Sequence, residues 1–304
     1  MLIITDPIFL QHTVPSGHPE RPQRLLELVQ HWQNENTLAG LSQQRATAAS
    51  PTQLARVHSE SHIARLEALA PTQEFGYVDP DTVLSAGSLG AARHAAGAMA
   101  SAVQALLDGV HKRVFCAVRP PGHHAERDNA MGFCLFNSIA VGAATALASK
   151  SIERLAILDF DVHHGNGTVD IFRNEPRVLV CSSFQHPFYP HRQVNVAGDH
   201  LVYTPLPAGT DGPTFRRAIE RDWRPALAQH QPQLILVSAG FDAHARDPLA
   251  SLELRSSDFR WVTEFIVDAA ERFGQGRIAS ILEGGYDLQA LCDSTSAHIE
   301  ALKD

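Results

Sequence analysis

Leu155-Ala156-Ile157-Leu158-Asp159-Phe160-Asp161-Val162-His163-His164-Gly165-Asn166-Gly167 joins an unbroken apolar run to a dense group of acids, imidazoles and glycines. Such a run has no face to give to water, and a strand buried on both faces of a parallel sheet needs that pattern. Leu2 to Thr5, Arg113 to Val118, Val178 to Ser182, Leu234 to Ser238 and Ile278 to Leu282 repeat it. Between these runs, Gly87 to Leu107, Asn137 to Ser149, Pro213 to Gln229 and Ser256 to Phe273 read as helices. Gly212-Pro213 and Ser257-Asp258 supply start signals and Gly274 a stop. Strands alternating with helices predict a three-layer α/β/α fold around a mostly parallel sheet. Phe184 to Gly212, rich in His, Pro and Gly, is expected to form long loops over one sheet edge.

No Gly/Ser linker or internal repeat divides the 304 residues, so one domain over 1–304 is expected. At 44% hydrophobic and 19% charged, the composition is that of an ordinary globular chain. The formal charge of −8, without a basic patch, argues against nucleic acid or an anionic membrane as direct partner. Met1 to Asp6 has no basic flank, and no window approaches the ~20 apolar residues of a membrane span, so a cytoplasmic location is expected. Cys116, Cys134, Cys181 and Cys292 are widely spaced and read as small buried hydrophobes. The 17 histidines ask for a metal or a proton-transfer role.

Four polar segments each follow an apolar run directly: Arg119 to His124, Asp159 to Gly167, Ser238 to Asp242 and Glu283 to Tyr286. The carboxyl ends of parallel strands share one edge, so these segments should converge there. Asp161 and His163, two apart on an extended strand end, would project to one side, and Asp242 can complete a metal set. Two carboxylates and one imidazole leave coordination positions open, as a catalytic zinc requires. His123 and His124 would supply proton transfer, and Tyr286 a donor to an oxyanion. Metal, base and oxyanion donor together indicate hydrolysis of an amide or ester.

The chain resembles the histone deacetylase superfamily, with its arginase/deacetylase fold. The resemblance is carried by His18-Pro19-Glu20-Arg21-Pro22, Arg119 to Ala125, Gly132-Phe133-Cys134 with Asn137, Asp159 to Gly167, Ser238 to His244 and Glu283 to Asp287. It implies a sheet of eight parallel strands and a single zinc on Asp161, His163 and Asp242, with ferrous iron as the other candidate in the cell. It implies His124 as general base and acid, His123 as an electrostatic helper tied to Asp159, and Tyr286 as oxyanion donor. Water activated by the metal and His124 would attack an acetamide carbonyl, and His124 would protonate the departing amine. Gly132 and Phe133 are similar to one wall of an acyl-lysine tunnel. Phe188-Tyr189-Pro190 is similar to the other, with Tyr189 where the family has a second phenylalanine. Backbone oxygens of Asp159, Asp161 and His163, with a serine of Ser182-Ser183 taken as Ser183, resemble a structural potassium site.

Asn166 stands where one branch of the family has an aspartate paired to the second histidine, and this amide form resembles the class II branch. An amide cannot balance an imidazolium as a carboxylate can, so His124 should be less basic. Acyl-lysine in a peptide or protein, or another small acylated amine, is the implied substrate. Some acetylpolyamine amidohydrolases carry a glutamate seven residues after the last metal aspartate, where this chain has Leu249. An apolar gatekeeper attracts no second ammonium, which favours acyl-lysine, whereas Asp247 and the negative net charge keep the polyamine alternative open. A catalytically weak acyl-lysine-binding scaffold would have a broken metal set or lack Tyr286, and neither is seen. A two-manganese ureohydrolase would need further bridging aspartates.

Overall fold

Runs without polar alternation can be satisfied only in the middle of a covered sheet. The computed structural model describes residues 1–71 and 74–303. Along the chain these form β1 (Leu2–Thr5), α1 (Gln23–Asn34), β2 (Ser42–Arg45), α2 (Pro51–Ala55), α3 (Glu60–Leu69), β3 (Gly76–Tyr77), β4 (Val83–Leu84) and α4 (Ser88–Leu107). There follow β5 (Arg113–Cys116), α5 (Ser138–Ala148), β6 (Leu155–Asp159), α6 (Asn166–Phe172), β7 (Val178–Gln185) and β8 (Leu201–Leu206). The chain continues through α7 (Gly212–His230), β9 (Ile235–Ala239), α8 (Ser256–Gly274), β10 (Ile278–Leu282) and α9 (Leu288–Lys303).

Eight strands make one sheet in the order β2-β1-β5-β10-β9-β6-β7-β8, with all neighbours parallel. Every residue of β5, β6, β9 and β10 is buried, as their unbroken apolar runs require. These four strands are consecutive neighbours, and each leads into one of the polar segments. The sheet order therefore gathers segments that lie far apart in sequence. Helices flank the sheet: α4 packs on α5, α8 on α9, and α9 also on α1. Gly142 lets α5 approach Met99 of α4, because a Cβ there would sit 3.2 Å from the Met99 side chain.

Two edges correct the sequence reading. Phe184 to Gly212 is not loop throughout: β7 extends to Gln185, and Leu201–Leu206 pairs with it as β8. Pro205 sits in that strand, where an edge position tolerates the missing donor. At the other edge, β2 is Ser42-Gln43-Gln44-Arg45, exposed throughout and held by its ladder to β1. It carries no apolar signal to read. The start signals also shift: Asp211 caps α7 by accepting from Thr214 N–H, and Asp258 lies inside α8, accepting from Arg255 N–H. No helix among the described residues is long and apolar enough to cross a membrane.

Candidate active site

Beyond Asp159 the chain bends at once. Asp161 N–H donates to Asp159 Oδ1 at 3.1 Å, and His163 N–H donates to Asp161 Oδ1 at 2.9 Å. Asp161 and His163 thus meet through successive side-chain-to-backbone turns, not through the alternation of an extended strand. Asp242, just past β9, accepts from Val162 N–H at 2.9 Å, and Asp161 accepts from Gly284 N–H at 2.9 Å. His163 Nδ1 then lies 3.1 Å from Asp161 Oδ1 and 3.1 Å from Asp242 Oδ2. Donors on a tetrahedral ion with bonds of 2.0–2.1 Å stand about 3.3 Å apart, so this spacing fits one such metal. Gly240 and Gly284 make the room: an added Cβ would sit 2.0 Å from Asp161 Oδ2 and 2.1 Å from Asp242 Oδ2 respectively.

The charges also suit a cation. Burial and the neighbouring Asp161 raise the pKa of Asp242. Burial alone would lower the His163 pKa, but hydrogen bonds to Asp161 and Asp242 raise it to about 10, so without a metal the two carboxylates favour a positive charge on this ring.

His123 and His124 are adjacent, with ring centroids 4.0 Å apart, yet their environments push them in opposite directions. His123 Nδ1 lies 2.9 Å from Asp159 Oδ2; burial opposes its charge, but Asp161 and Asp159 override that and raise its pKa well above the usual value. His124 Nδ1 lies 2.7 Å from Asn166 Oδ1. Burial lowers His124 far below the usual range, and the charges of His123 and His163 lower it further. The backbone carrying both rings is fixed by the fully buried Glu283, which accepts from Gly122 N–H at 2.6 Å and His123 N–H at 3.2 Å.

Aromatic rings surround this centre. Phe188 stacks on His163 at 5.4 Å, while Tyr189 meets His124 edge-on at 5.3 Å. Phe133 meets Tyr286 edge-on at 6.0 Å and takes φ +66°, a left-handed conformation unusual for a bulky residue. Gly132, at φ +57°, has no space for a side chain: a Cβ would sit 2.5 Å from the His124 ring. Tyr286 N–H donates to Asp247 Oδ2 at 2.7 Å, and the Arg24 guanidinium lies 4.9 Å from its ring centroid. Burial raises the Tyr286 pKa well above 10, against the pull of Arg24, which keeps the phenol a neutral donor.

With this geometry in place, the comparisons with known proteins decide the family. The histone deacetylase domain model matches residues 18–302. The chain belongs to the histone deacetylase family. It is 37% identical over 285 residues to a histone deacetylase-like amidohydrolase of Pseudomonas aeruginosa, covering 91% of this chain and 75% of that one. It is 34% identical over 301 residues to a probable deacetylase of Archaeoglobus fulgidus, covering 96% and 83%. The crystal structure of the HDA15 HD domain superposes with a TM-score of 0.92 at 31% identity, covering 100% of this chain and 91% of the other. The fold is thus the arginase/deacetylase fold of this family, and the chain is a deacetylase-family amidohydrolase.

Within this histone deacetylase fold, several groups went unassigned in the sequence reading. Glu20, quoted there only as part of a motif, is fully buried and bound by both oxygens to Arg119, at 2.6 Å each, and to Arg24 Nη1 at 3.0 Å. Arg24 also donates to the carbonyls of Gly285 and Glu283, at 2.6 Å each, so this cluster braces the segment that carries Tyr286. Glu20 and Arg24 are four residues apart, but nothing local marks the other partners, which are 99 and 261 residues apart for the pairs Glu20–Arg119 and Arg24–Gly285.

The serine beside Asp159 also needs restating. Asp159 pairs with Ser182 across β6 and β7, and Ser182 Oγ lies 3.2 Å from His164 Nδ1. Strand alternation sends the Ser183 side chain to the other face, so the hydroxyl on the Asp159 side is that of Ser182. His164 turns away from the metal cluster toward Ser182 and the Gln193 carbonyl. Leu249 is half-buried, and its N–H donates to Asp247 Oδ1 at 3.0 Å.

Proposed function

We propose that residues 1–304 act as one catalytic domain that removes acetyl or other acyl groups from the side-chain amine of acyl-lysine in peptides or proteins. The observation that carries this reading is the meeting of buried Asp161 and Asp242 with the partly buried His163, whose donor atoms all lie within 4.8 Å of one another, beside the neutral His124 ring. Those three residues would hold zinc, or ferrous iron in the cell. When bound, the metal polarises the scissile carbonyl and makes water a stronger acid.

The chain's own groups do the rest. His124, free of charge at neutral pH, takes the proton of the attacking water and returns it to the departing amine. His123, kept protonated by Asp159 and Asp161, stays a fixed positive charge next to it and does not compete for that proton. The Tyr286 phenol donates to the oxygen that becomes negative. Gly132, Phe133 and Tyr189 line the acyl-lysine stem and exclude water from it. Potassium would be held by backbone oxygens of Asp159, Asp161 and His163 with the Ser182 hydroxyl, and Ser183 could add only its carbonyl.

The polyamine reading loses one of its supports. Asp247, the acid nearest in sequence to Leu249, is buried and accepts N–H groups from Leu249, Tyr286 and Asp287 at 3.0, 2.7 and 3.4 Å. A carboxylate so engaged does not greet a passing ammonium. Four buried free cysteines suit a reducing compartment such as the cytoplasm. Parallel rates on acetyl-lysine peptides, longer acyl-lysine peptides, acetylspermidine and acetylputrescine test the reading. Acetyl-lysine peptides are expected to lead, and faster turnover of either polyamine overturns the substrate assignment.

A further inference from the structure

His124 can act as a base only with its proton on Nδ1 and its lone pair on Nε2. An imidazole does not select that tautomer; the group against Nδ1 does. Here that group is the Asn166 amide, which has one accepting end and one donating end. Turned over, the amide would satisfy the wrong tautomer equally well.

Three contacts oppose the turn. Asn166 Oδ1 faces His124 Nδ1 at 2.7 Å, while Asn166 Nδ2 lies 2.9 Å from Glu126 Oε1 and 3.4 Å from the His124 carbonyl. The Met131 sulfur is a further weak acceptor for Nδ2 at 3.4 Å. An ionised carboxylate only accepts, so the reversed amide would set oxygen against oxygen. Glu126 is only 5% exposed, and Arg192 Nη2 holds its Oε2 at 2.9 Å. Burial, with Asp170 adding to it, leaves the Glu126 pKa raised overall, while the Asn166 hydrogen bond, the Arg192 charge and the Gln193 side chain act the other way, toward the ionised form. Arg192 lies three residues after Tyr189, so the same segment supplies a tunnel wall and the cation on Glu126.

We propose that Glu126, anchored by Arg192, is a positioning residue for the general base. It orients the Asn166 amide so that His124 Nδ1 must donate and Nε2 is left as the free base. A carboxylate at position 166 would do this directly; with asparagine there, the carboxylate stands one amide further out. The inference rests on the reading of His124 as the base.

The test separates the two. Nitrogen-15 spectra of histidine-labelled protein, with His124 assigned by the signals lost in His124→Ala, read the tautomer without any substrate. The wild type should show a single tautomer protonated on Nδ1. Glu126→Gln, which is isosteric and offers both a donor and an acceptor, should show a mixture. On an acetyl-lysine peptide its kcat should fall about tenfold with KM within about twofold, since the defect lies in the base and not in binding. Asn166→Asp alone sets two carboxylates together and should lose about tenfold or more, whereas Asn166→Asp with Glu126→Gln exchanges the order of acid and amide and should return to within about threefold of wild type. Melting curves show whether each variant is folded. An unchanged tautomer and kcat in Glu126→Gln, or a double variant as slow as the product of the singles, overturns the inference. A wild type inactive on acetyl-lysine, with the tautomer change still seen between it and Glu126→Gln, would sink the substrate reading and leave the positioning role standing.

Discussion

Two clusters of buried charge lie at the same edge of the sheet, and they are balanced by different means. Around Glu20 the opposing charges are the guanidiniums of Arg24 and Arg119, whose remaining N–H groups reach the carbonyls of Phe9, His12, Glu20, Glu283 and Gly285. Burial opposes charge on Glu20, yet Arg119, the His12 hydrogen bond and Arg24 hold its pKa well below the usual range. Around Asp161 and Asp242 the groups that face the carboxylates are the imidazoles of His123 and His163, whose pKa values those carboxylates raise. A guanidinium cannot give up its proton at accessible pH, whereas an imidazole can give up its own to a metal. The first cluster is therefore a fixed brace and the second an exchangeable site.

The largest effect should come from breaking the exchangeable cluster. Asp161→Ala or Asp242→Ala leaves two donors of three, and both bound zinc and turnover should fall by about 10³-fold or more. Metal analysis on the same sample as the peptide assay checks this; full activity in metal-depleted wild type would falsify the mechanism. Stability should respond differently, because Asp242 is already unfavourable as an anion beside Asp161. Metal-free Asp242→Asn is expected to be at least as stable as metal-free wild type in urea.

Breaking the brace should invert that pattern. Glu20→Gln leaves two buried guanidiniums without their counter-charge, and loss of one partner of a buried pair typically destabilises by about 3–5 kcal/mol. Urea unfolding should show that loss, while the protein that stays folded keeps its metal. Equal damage to metal content from Glu20→Gln would mean that the two clusters are one unit.

Tyr286 stands between the clusters, its ring against Arg24 and its segment leading to the metal side. Tyr286→Phe removes one oxyanion donor and keeps the ring contact, so kcat should fall about 10²-fold with little change in KM or metal content. Near-normal turnover would show that the phenol is not the donor.

Proton exchange itself can be measured. With His163 raised to about 10, its proton competes with metal throughout the neutral range, and raising the pH removes the competitor. Zinc affinity should therefore increase about tenfold per pH unit between pH 6 and 9, with about one proton released from this ring. Calorimetry in buffers of different ionisation enthalpy counts the protons. A flat affinity would mean that His163 is already neutral beside the two carboxylates.

The exchangeable site was far more legible in the sequence than the brace. Asp161, His163, Asp242, His123, His124 and Tyr286 each follow an apolar run within a few residues, so the parallel-sheet rule was enough to bring them together. Glu20 and Arg24 are only four residues apart, but Arg119 joins them across 99 residues, and nothing in the local pattern says that this guanidinium meets that acid. The sheet edges were hard for a related reason: β2 has no apolar residue and is held by its backbone ladder, while the apolar Leu201, Val202 and Leu206 of β8 are interrupted by Pro205, which speaks against a strand. A one-residue phase separates Ser182 from Ser183, and only the register of β6 on β7 decides between them.

The smallest expected effect concerns the mouth of the site, where substrate class is set. The buried carboxylate of Asp247 is already engaged by three backbone N–H groups, and burial with the nearby Asp242 raises its pKa to about 7, so it is only partly ionised at neutral pH and poorly placed to meet an ammonium. With Leu249 taken to stand at the tunnel mouth, Leu249→Glu would add a carboxylate where the distal ammonium of a polyamine passes. At an effective dielectric of about 20 and a separation of about 6 Å, that attraction is at most about 3 kcal/mol, and screening and desolvation reduce it. A shift of about tenfold in relative kcat/KM toward acetylspermidine is the realistic outcome, corresponding to about 1.4 kcal/mol of differential transition-state binding. Acetyl-lysine peptide turnover should change little if the side chain stands at that mouth, since the new charge would then be apart from the reacting groups. An unshifted ratio would put Leu249 away from the substrate path and move the search for the selectivity element to Phe133 and Tyr189, the proposed walls.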